Sequence, residues 1–459
     1  MQNFKIKISS FSWKEIVLVI VMPIFFLFQE NWISYFLLLF ITILILLSYT
    51  LGKKELLFAF LLLQSYHSEG ISVYTTNFLG ISFIYFILLF ILVYEFHDKV
   101  YFPKILITFT ILFPARVMLG FYYKIDTFSW IVETILFFAF LIFCVTVYNY
   151  SLFQRDNLVR ILKNYVLYYF PYLTLISLFF ASEIDYSGKF VPYYFDEFSG
   201  FYIISIFPII LIGTKKIYEK SILLIIHLLF IYIQLTYLYV GSFALIGLIL
   251  TLITMMFLYF KKHLKYLFLV GALILVSGYV LKDSNNFVKF KIAQVSESFK
   301  FFIDSPSLNK IKNIPNSPRT RIIEYLNIQS EIYESGPLTF LMGKGFGSYF
   351  TDKNYSFNEY EVVFHNNSAF SEKEITLNKF SRPHNTFFYM PLKLGFFGVS
   401  GIIIIVMFLF VKVDKDNWML YSFTSYILIF FDSGIKSFIF VGCMMAILLK
   451  TLNTGNKIG

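Results

Sequence analysis

Residues 32–51, with the sequence WISYFLLLFITILILLSYTL, decide the fold class of this chain. The stretch carries no charged side chain, and it has the length of about 20 apolar residues that a helix needs to cross a bilayer. The rest of the chain is similar, because 58% of its 459 residues are hydrophobic, only 14% are charged and the mean hydropathy is +0.72. Soluble domains average roughly a quarter charged residues. The composition therefore predicts a membrane protein.

Apolar stretches of this kind recur along the chain, and the third and the eighth of them are short. The sequence therefore predicts an all-α, polytopic membrane helix bundle with about 12–14 transmembrane helices. No internal repeat is evident. The stretches are 14–29, 32–51, 55–67, 78–96, 105–123, 127–148, 165–181, 200–213, 221–239, 242–260, 266–281, 386–411, 418–432 and 437–452.

A polar segment, residues 282–385, interrupts this series and divides the chain into three parts. The predicted parts are an N-terminal transmembrane bundle over 1–281 with about 11 spans, a large extracytoplasmic loop over 282–385, and about three C-terminal spans over 386–459. Loops of such length usually carry function.

The large loop is predicted to contain short helices. Ser317 is placed to cap a helix that begins at Pro318, has apolar residues at helical spacing and ends at Gly336 and Pro337. A second amphipathic stretch covers residues 287–302.

Lysine and arginine are frequent in every second connection between the predicted spans and sparse in the others. This alternation predicts both termini in the cytoplasm and the large loop on the periplasmic or extracytoplasmic face. It also explains the net charge of +10 without nucleic acid as a partner. The first span is expected to be retained, and Cys144 and Cys443 are expected to be buried without forming a disulfide. The connections predicted as cytoplasmic carry Lys53, Lys54, Lys99, Lys104, Arg155, Arg160, Lys163, Lys215, Lys216, Lys220, Lys261, Lys262, Lys265, Lys412 and Lys415.

The most specific pattern begins with His384-Asn385, just before the twelfth predicted span. Nine residues further on comes Gly395-Phe396-Phe397-Gly398, which completes the pattern His-Asn-x9-Gly-x-x-Gly. The pattern resembles the signature of the O-antigen ligase and polymerase superfamily, which also includes capsule polymerases. His365-Asn366 lacks the downstream glycines and is an internal control.

Other features also resemble this family. Many spans, one large external loop and two or three closing spans follow one another, and Arg319 and Arg321 lie at the start of the predicted loop helix. A glycine-rich turn, Gly343-Lys344-Gly345-Phe346-Gly347-Ser348, comes after that helix. The chain departs from the family at residues 241–243, which read Gly-Ser-Phe where the family often has a Ser-Arg pair.

The resemblance implies a glycosyltransferase that uses a glycan on undecaprenyl pyrophosphate and needs no cofactor, metal or nucleotide. His384 would take the proton of the acceptor hydroxyl, since histidine suits a general base at neutral pH. Arg319 and Arg321 would hold the pyrophosphate. Arg116, a costly charge inside the fifth predicted span, and Arg382 are further candidates for the same role. The expected partners are membrane lipid and the lipid-linked donor and acceptor, with a chain-length regulator and a flippase as further candidates.

Each candidate also has a structural interpretation. His384 could cap a helix at the membrane surface, Arg321 could pair with Glu324, and Arg116 could pair with Glu133 or extend to the membrane surface.

The glycines and the acidic residues are interpreted structurally. The Gly343–Gly347 turn lacks the preceding strand and the Lys-Ser/Thr pair of a nucleotide-binding loop, so a tight turn at the membrane surface is expected, which includes Gly345. Gly395 and Gly398 are expected to allow close helix packing. No metal site is expected. The acidic segment 182–200 could hold a cation, but its composition is more typical of a solvated loop.

Three functions compete. The leading hypothesis is a polymerase that joins lipid-linked repeat units into O-antigen or capsular polysaccharide at the outer face of the cytoplasmic (inner) membrane. The alternative is a ligase that transfers finished glycan to the lipid A core of lipopolysaccharide. A flippase or another transporter would place polar groups near the midplane and often contain repeats, whereas here the polar residues concentrate in the loop.

Overall fold

A computed structural model describes residues 12–23, 32–64, 73, 76–78, 81–95, 101, 117–120, 122–123, 126–180, 196–237, 242–258, 308–364, 370, 372–381, 386–430 and 435–455. These residues are mostly helical, with one short antiparallel pair, β1 (Asn77–Phe78) and β2 (Ile81–Ser82). The α-helices are α1 (Trp13–Val21), α2 (Trp32–Thr50), α3 (Lys54–Gln64), α4 (Phe83–Glu95), α5 (Thr127–Asn164), α6 (Phe170–Phe180), α7 (Asp196–Leu211), α8 (Ile217–Tyr237), α9 (Ser242–Leu258), α10 (Asn316–Glu334), α11 (Pro337–Met342), α12 (Glu372–Leu377), α13 (Thr386–Lys412), α14 (Trp418–Phe430) and α15 (Ile435–Gly455).

Four helical segments within the described ranges are long and apolar enough to cross a membrane. They are Trp32–Thr50, Thr127–Tyr150, Ile217–Gln234 and Met390–Lys412, with mean hydropathies of 2.3, 2.4, 1.5 and 2.7. Shorter apolar helices lie at Phe83–Glu95, Gly200–Leu211, Gly247–Phe257 and Val441–Thr451. The predicted all-helical class is therefore confirmed, and the apolar helices are compatible with a multi-pass membrane protein.

Helix α2 shows the surface that a lipid environment favours. Its buried residues, among them Leu38, Thr42, Ile45 and Tyr49, recur at helical spacing and therefore lie on one face. The other faces expose large apolar side chains such as Phe36. Water would make such a surface unfavourable, whereas lipid hydrocarbon solvates it.

The connection predicted between the sixth and seventh spans is helical instead. α5 leads through a π-helical turn, Tyr165–Tyr169, directly into α6, so residues 127–180 are helical without a break. The sequence contains no glycine or proline in this range before Pro171. Pro171 has no N–H to donate, and the π-helical turn ends at Tyr169, two residues before it. Residues 149–164, which lie between two predicted spans and carry three basic side chains, are therefore helical and not an irregular loop.

Basic groups of this segment are paired inside the bundle. Arg160 donates two hydrogen bonds to the buried carboxylate of Glu15, at 2.8 and 2.6 Å. Lys163 Nζ donates to the Gly213 carbonyl at 2.8 Å. Glu15 neutralises the charge of Arg160, and the Gly213 carbonyl accepts a hydrogen bond from Lys163. The helix can therefore continue through a segment whose charges had indicated a turn.

The centre of the bundle is α7, whose residues 200–211 are all buried. It contacts α8, α9, α14 and the π-helical turn. Phe201 lies edge-to-face with Tyr426 of α14, and Tyr202 stacks on Phe170 at a centroid distance of 4.9 Å. A helix that is apolar on every side is expected in such a central position.

Residues 308–381, called here the loop unit, have a hydrophobic core of their own. Phe350, Phe357, Phe370 and Phe380 contact one another there, with ring centroids 4.7 to 6.2 Å apart. Such separations suit the edge-to-face and tilted arrangements that aromatic rings prefer. Leu392 of α13 is buried in the same core. The loop unit is therefore packed onto the helix that follows it.

Helix α10 is the main helix of the loop unit. Its predicted end is confirmed, because the helix stops at Glu334, just before Gly336. Its predicted start at Ser317 and Pro318 is wrong by two residues. The helix begins at Asn316, whose side chain exchanges hydrogen bonds with the backbone of Val363. This long-range contact is not visible in the local sequence.

Candidate functional site

The candidate site is the junction between the loop unit and the first turns of α13. Four of the predicted site residues, Arg116, Arg382, His384 and Asn385, lie outside the described residues, as does the amphipathic stretch 287–302. The backbone on both sides of residues 382–385 is described.

The residues before 382–385 are fixed within the loop unit. Ser381 donates to Glu374 Oε1 through its amide and its hydroxyl, at 3.0 and 2.8 Å. Phe380 and Phe350 exchange backbone hydrogen bonds of 2.9 and 3.0 Å. On the other side, α13 begins at Thr386. The described backbone therefore ends in the loop unit at Ser381 and resumes in α13 at Thr386.

Arg319 makes structural contacts. Its guanidinium donates to the carbonyls of Lys312 and Tyr360, both at 3.1 Å. These contacts join the 3₁₀ helix, Leu308–Asn313, and the turn near residue 360 to the start of α10. Both hydrogen bonds come from Nη1, so one nitrogen of the Arg319 guanidinium is directed at the protein backbone.

Arg321 lies on the helix that packs against the site. It is half-buried in the first turns of α10, and Glu324, three residues further on, is completely buried. α10 contacts both α11 and α13. The structure thus brings the helix that carries Arg321 against the helix that follows the histidine motif.

The glycine-rich turn is bound to the backbone of α13. The amides of Lys344 and Gly345 donate to the carbonyls of Leu392 and Lys393, at 2.7 and 3.2 Å. These carbonyls are available because Gly395 interrupts the helix with φ 62° and ψ −168°. The turn therefore supplies donors for the carbonyls that the break leaves open.

Gly395 also permits a close backbone contact with the end of α11. A Cβ on Gly395 would overlap the amide nitrogen of Gly343 and stand 2.6 Å from the Met342 carbonyl carbon. The predicted close packing is thus found at Gly395, against a loop helix. Gly398 instead faces the side chain of Leu394 in its own helix.

The same turn packs on α5 and on residues 117–120. A Cβ on Gly347 would stand 2.5 Å from Trp130 Cβ, and one on Gly120 would stand 2.5 Å from the Phe346 carbonyl oxygen. The Asp126 amide donates to the Gly347 carbonyl at 3.1 Å. The turn therefore packs on α5 and on the segment just before it, both of which are distant from the turn in sequence.

Asp126 caps the start of α5 beside this turn. Its carboxylate accepts a hydrogen bond of 2.9 Å from the Ser129 amide, as is usual for an N-cap residue. Burial acts to raise the pKa of this carboxyl, but the Ser129 hydrogen bonds and the charges of Lys373 and Lys379 hold the pKa below its ordinary value. The carboxylate is thus stabilised in its charged form.

A buried ion pair completes the junction. Lys393 Nζ donates to Glu133 Oε1 at 2.7 Å and to the Ser348 carbonyl at 2.5 Å, while the Gly347 amide donates to Glu133 Oε2 at 2.7 Å. Both charged side chains are buried. Sequence reasoning considered Glu133 only as a partner of Arg116 and missed Lys393. A lysine inside an apolar span was the available signal.

A second carboxylate organises the turn from the loop side. Glu331 of α10 pairs with Lys344 and accepts two hydrogen bonds from Thr351, at 2.7 and 2.8 Å. The glycine-rich turn is therefore held by α10 on one side and by α5 and α13 on the other.

The described ranges contain no group of three or more His, Cys, Asp or Glu side chains that could hold a metal ion. Cys144 and Cys443 are both buried and unbridged, as predicted.

Fold and site together define an all-helical chain with helices of membrane-spanning character and a folded loop unit attached to them by a glycine-rich turn. No protein-family model, curated protein or solved structure matches this chain.

Proposed function

We propose that this chain is a glycan polymerase that joins undecaprenyl-pyrophosphate-linked repeat units into O-antigen or capsular polysaccharide. The proposal starts from the resemblance of His384-Asn385 and the Gly395–Gly398 pair to the signature of the O-antigen ligase and polymerase superfamily. It includes the finer topology of about 12–14 spans, cytoplasmic termini and the loop unit outside the cytoplasmic membrane.

One observation supports the proposal: the glycine part of the motif lies at the junction where the loop unit packs on α13. Gly395 is the point where α13 breaks and receives the Gly343–Gly347 turn. Ser381 is fixed in the loop unit immediately before the histidine segment. His384 belongs to the short segment that joins these two elements, and a general base must be positioned precisely to act.

The helix that carries Arg321 supports a nearby pyrophosphate site. α10 packs on α13, and Leu392 of α13 shares the core of the loop unit with Ile323 and Ile328 of α10. Arginine binds phosphate oxygens through paired N–H donors, so it can stabilise a leaving group without a metal. Arg319, which donates to two backbone carbonyls, and Arg321 are both candidates for this role.

Arg116 fits the same proposal through its neighbours. Residues 117–120 follow it, and Gly120 contacts the Phe346 carbonyl of the glycine-rich turn. Trp130 Nε1 donates to the Val117 carbonyl at 3.1 Å, which ties this segment to α5.

The proposed reaction is a direct displacement. An acceptor hydroxyl attacks the anomeric carbon of the donor glycan and gives its proton to the imidazole of His384. The bond from that carbon to pyrophosphate breaks, and its electron pair leaves with undecaprenyl pyrophosphate, whose charge the arginines stabilise. No nucleotide is consumed, because the donor bond is already activated.

The decisive experiment is reconstitution of the purified chain with a lipid-linked repeat unit in vesicles. The wild-type protein is expected to make a ladder of longer glycans, and His384→Ala is expected to abolish the ladder, since a general base typically contributes 10²–10⁴-fold to rate. His365→Ala is the matched control and should leave the ladder intact.

Other results would overturn the proposal. Glycan appearing only on an added lipid A core would indicate the ligase. Movement of the lipid-linked unit across the bilayer without elongation would indicate a flippase. A full ladder from a folded His384→Ala variant would exclude the assigned base.

A further inference from the structure

A small apolar surface of the loop unit continues the surface of α13. We call it the apolar shelf and define it by Leu338, Phe340 and Leu341 of α11 with Phe396 and Phe397 of α13. All five side chains are exposed, and Phe340 and Phe396 are exposed by 57% and 51%.

Helix α11 exposes its large apolar side chains and buries its polar one, which is the reverse of a helix on a surface that faces water. Its polar residue, Thr339, is completely buried and donates to Tyr123 Oη at 2.8 Å. Its large apolar residues point outward instead. Water-exposed helices normally show the opposite pattern, so this inversion indicates an apolar surrounding.

The apolar shelf is continuous with the outer surface of a segment that could cross a membrane. The rings of Phe340 and Phe396 stack at a centroid distance of 5.8 Å and an interplanar angle of 15°. Further along α13, Ile403, Ile404 and Met407 are exposed as well. Ile404 lies eight residues, or about 12 Å along a helix, from Phe396.

The shelf is held in place by the backbone contacts of the junction. The Gly343 amide donates to the Thr339 carbonyl at 2.7 Å, and the close contact between Gly343 and Gly395 joins the end of α11 to α13. Tyr122, next to the partner of Thr339, is highly exposed. Tyrosine is enriched where hydrocarbon meets water.

We infer that α11 lies in the edge of the bilayer, with the apolar shelf in contact with phospholipid acyl chains. The loop unit is then anchored to the membrane surface through its own helix as well as through α13. This inference depends on α13 crossing the membrane and does not depend on the proposed reaction.

Spin labels on introduced cysteines test this inference in vesicles of phosphatidylcholine and phosphatidylglycerol that contain no polyprenyl lipid. Cys144 and Cys443 are buried, so labelled wild-type protein gives the background. The test site is Phe340→Cys, Ile404→Cys is the lipid reference, and Glu359→Cys, an exposed charged position of the loop unit, is the water reference.

The label at position 340 is expected to relax strongly with oxygen and weakly with a water-soluble nickel chelate. The ratio of the two effects should approach the ratio at 404 and exceed the ratio at 359. A ratio equal to that at 359 would overturn the inference. Low access of both reagents at 340 would also overturn it, because protein would then cover the shelf. Leu338→Cys carries the same test if Phe340→Cys does not fold.

Discussion

A single backbone conformation at Gly395 determines how the loop unit meets the membrane helices. With φ 62°, this residue interrupts the regular hydrogen bonding of α13, and the missing Cβ leaves space for Gly343. Residues with a side chain rarely adopt this combination of φ and ψ, which costs them roughly 1–3 kcal/mol. The overlap with α11 adds to that cost.

Gly395→Ala is therefore expected to lower the unfolding temperature and to make the loop unit more sensitive to protease. The measurement is thermal unfolding of purified protein in detergent, followed by limited proteolysis. Gly401→Ala is the matched control, since no heavy atom lies within 4 Å of its added Cβ. That variant should be neutral or stabilised by up to about 1 kcal/mol, as alanine favours helix. Equal behaviour of the two variants would contradict the role of Gly395.

Single residues of the junction were predictable to different degrees. The motif identified Gly395, because a glycine at a fixed spacing is visible in the sequence. Lys393 was missed, since a spacing pattern does not show which distant carboxylate a buried cation will meet. The contact between Lys393 and Glu133 joins residues 260 positions apart. The sequence predicted that Arg319 binds pyrophosphate. Its hydrogen bonds to the Lys312 and Tyr360 carbonyls could not be predicted, because they depend on how the loop unit folds.

At the scale of helices, the Lys393–Glu133 pair connects α5, α13 and the glycine-rich turn. Lys393→Met would remove the cation that pairs with the buried Glu133 carboxylate, while the hydrogen bond from the Gly347 amide would remain. Removing one partner of a buried pair typically costs about 3–5 kcal/mol. We therefore expect a large fall in the free energy of unfolding, measured by denaturation in detergent.

The double variant Lys393→Met with Glu133→Gln should recover much of that loss. Glutamine keeps an oxygen for the Gly347 amide and removes the buried charge. Lys216→Met, which breaks an exposed pair with Glu219, is the control and should have no measurable effect. If the double variant is no more stable than Lys393→Met, the buried charge is not the cause of the loss.

The helices themselves were partly predictable from the sequence. Apolar length located the spans that are described, because burial and lipid exposure both require apolar residues. The connection between the sixth and seventh predicted spans is helical and not a loop, and Glu15 and Gly213 provide partners for its cations. The start of α10 lies at Asn316 and not at Pro318, because the partner of Asn316, Val363, is distant in sequence.

For the whole molecule, the charge alternation predicts on which side of the membrane each connection lies. A membrane-impermeant maleimide should label Glu359→Cys in cells whose cytoplasmic membrane is intact. It should label Lys216→Cys only after that membrane is permeabilised. The buried native cysteines give little background. Labelling of Lys216→Cys in intact cells would show that the orientation, and with it the proposed external reaction, is wrong.

The burial of Leu392 in the core of the loop unit has a consequence for biosynthesis. Residues 308–381 leave the ribosome before Leu392 does, so their core cannot close until the first turns of α13 have been made. The same delay applies to the glycine-rich turn, whose amides await the Leu392 and Lys393 carbonyls. The loop unit therefore completes its folding only after the first turns of α13 have been synthesised, and an excised fragment of residues 308–381 would lack Leu392 from its core.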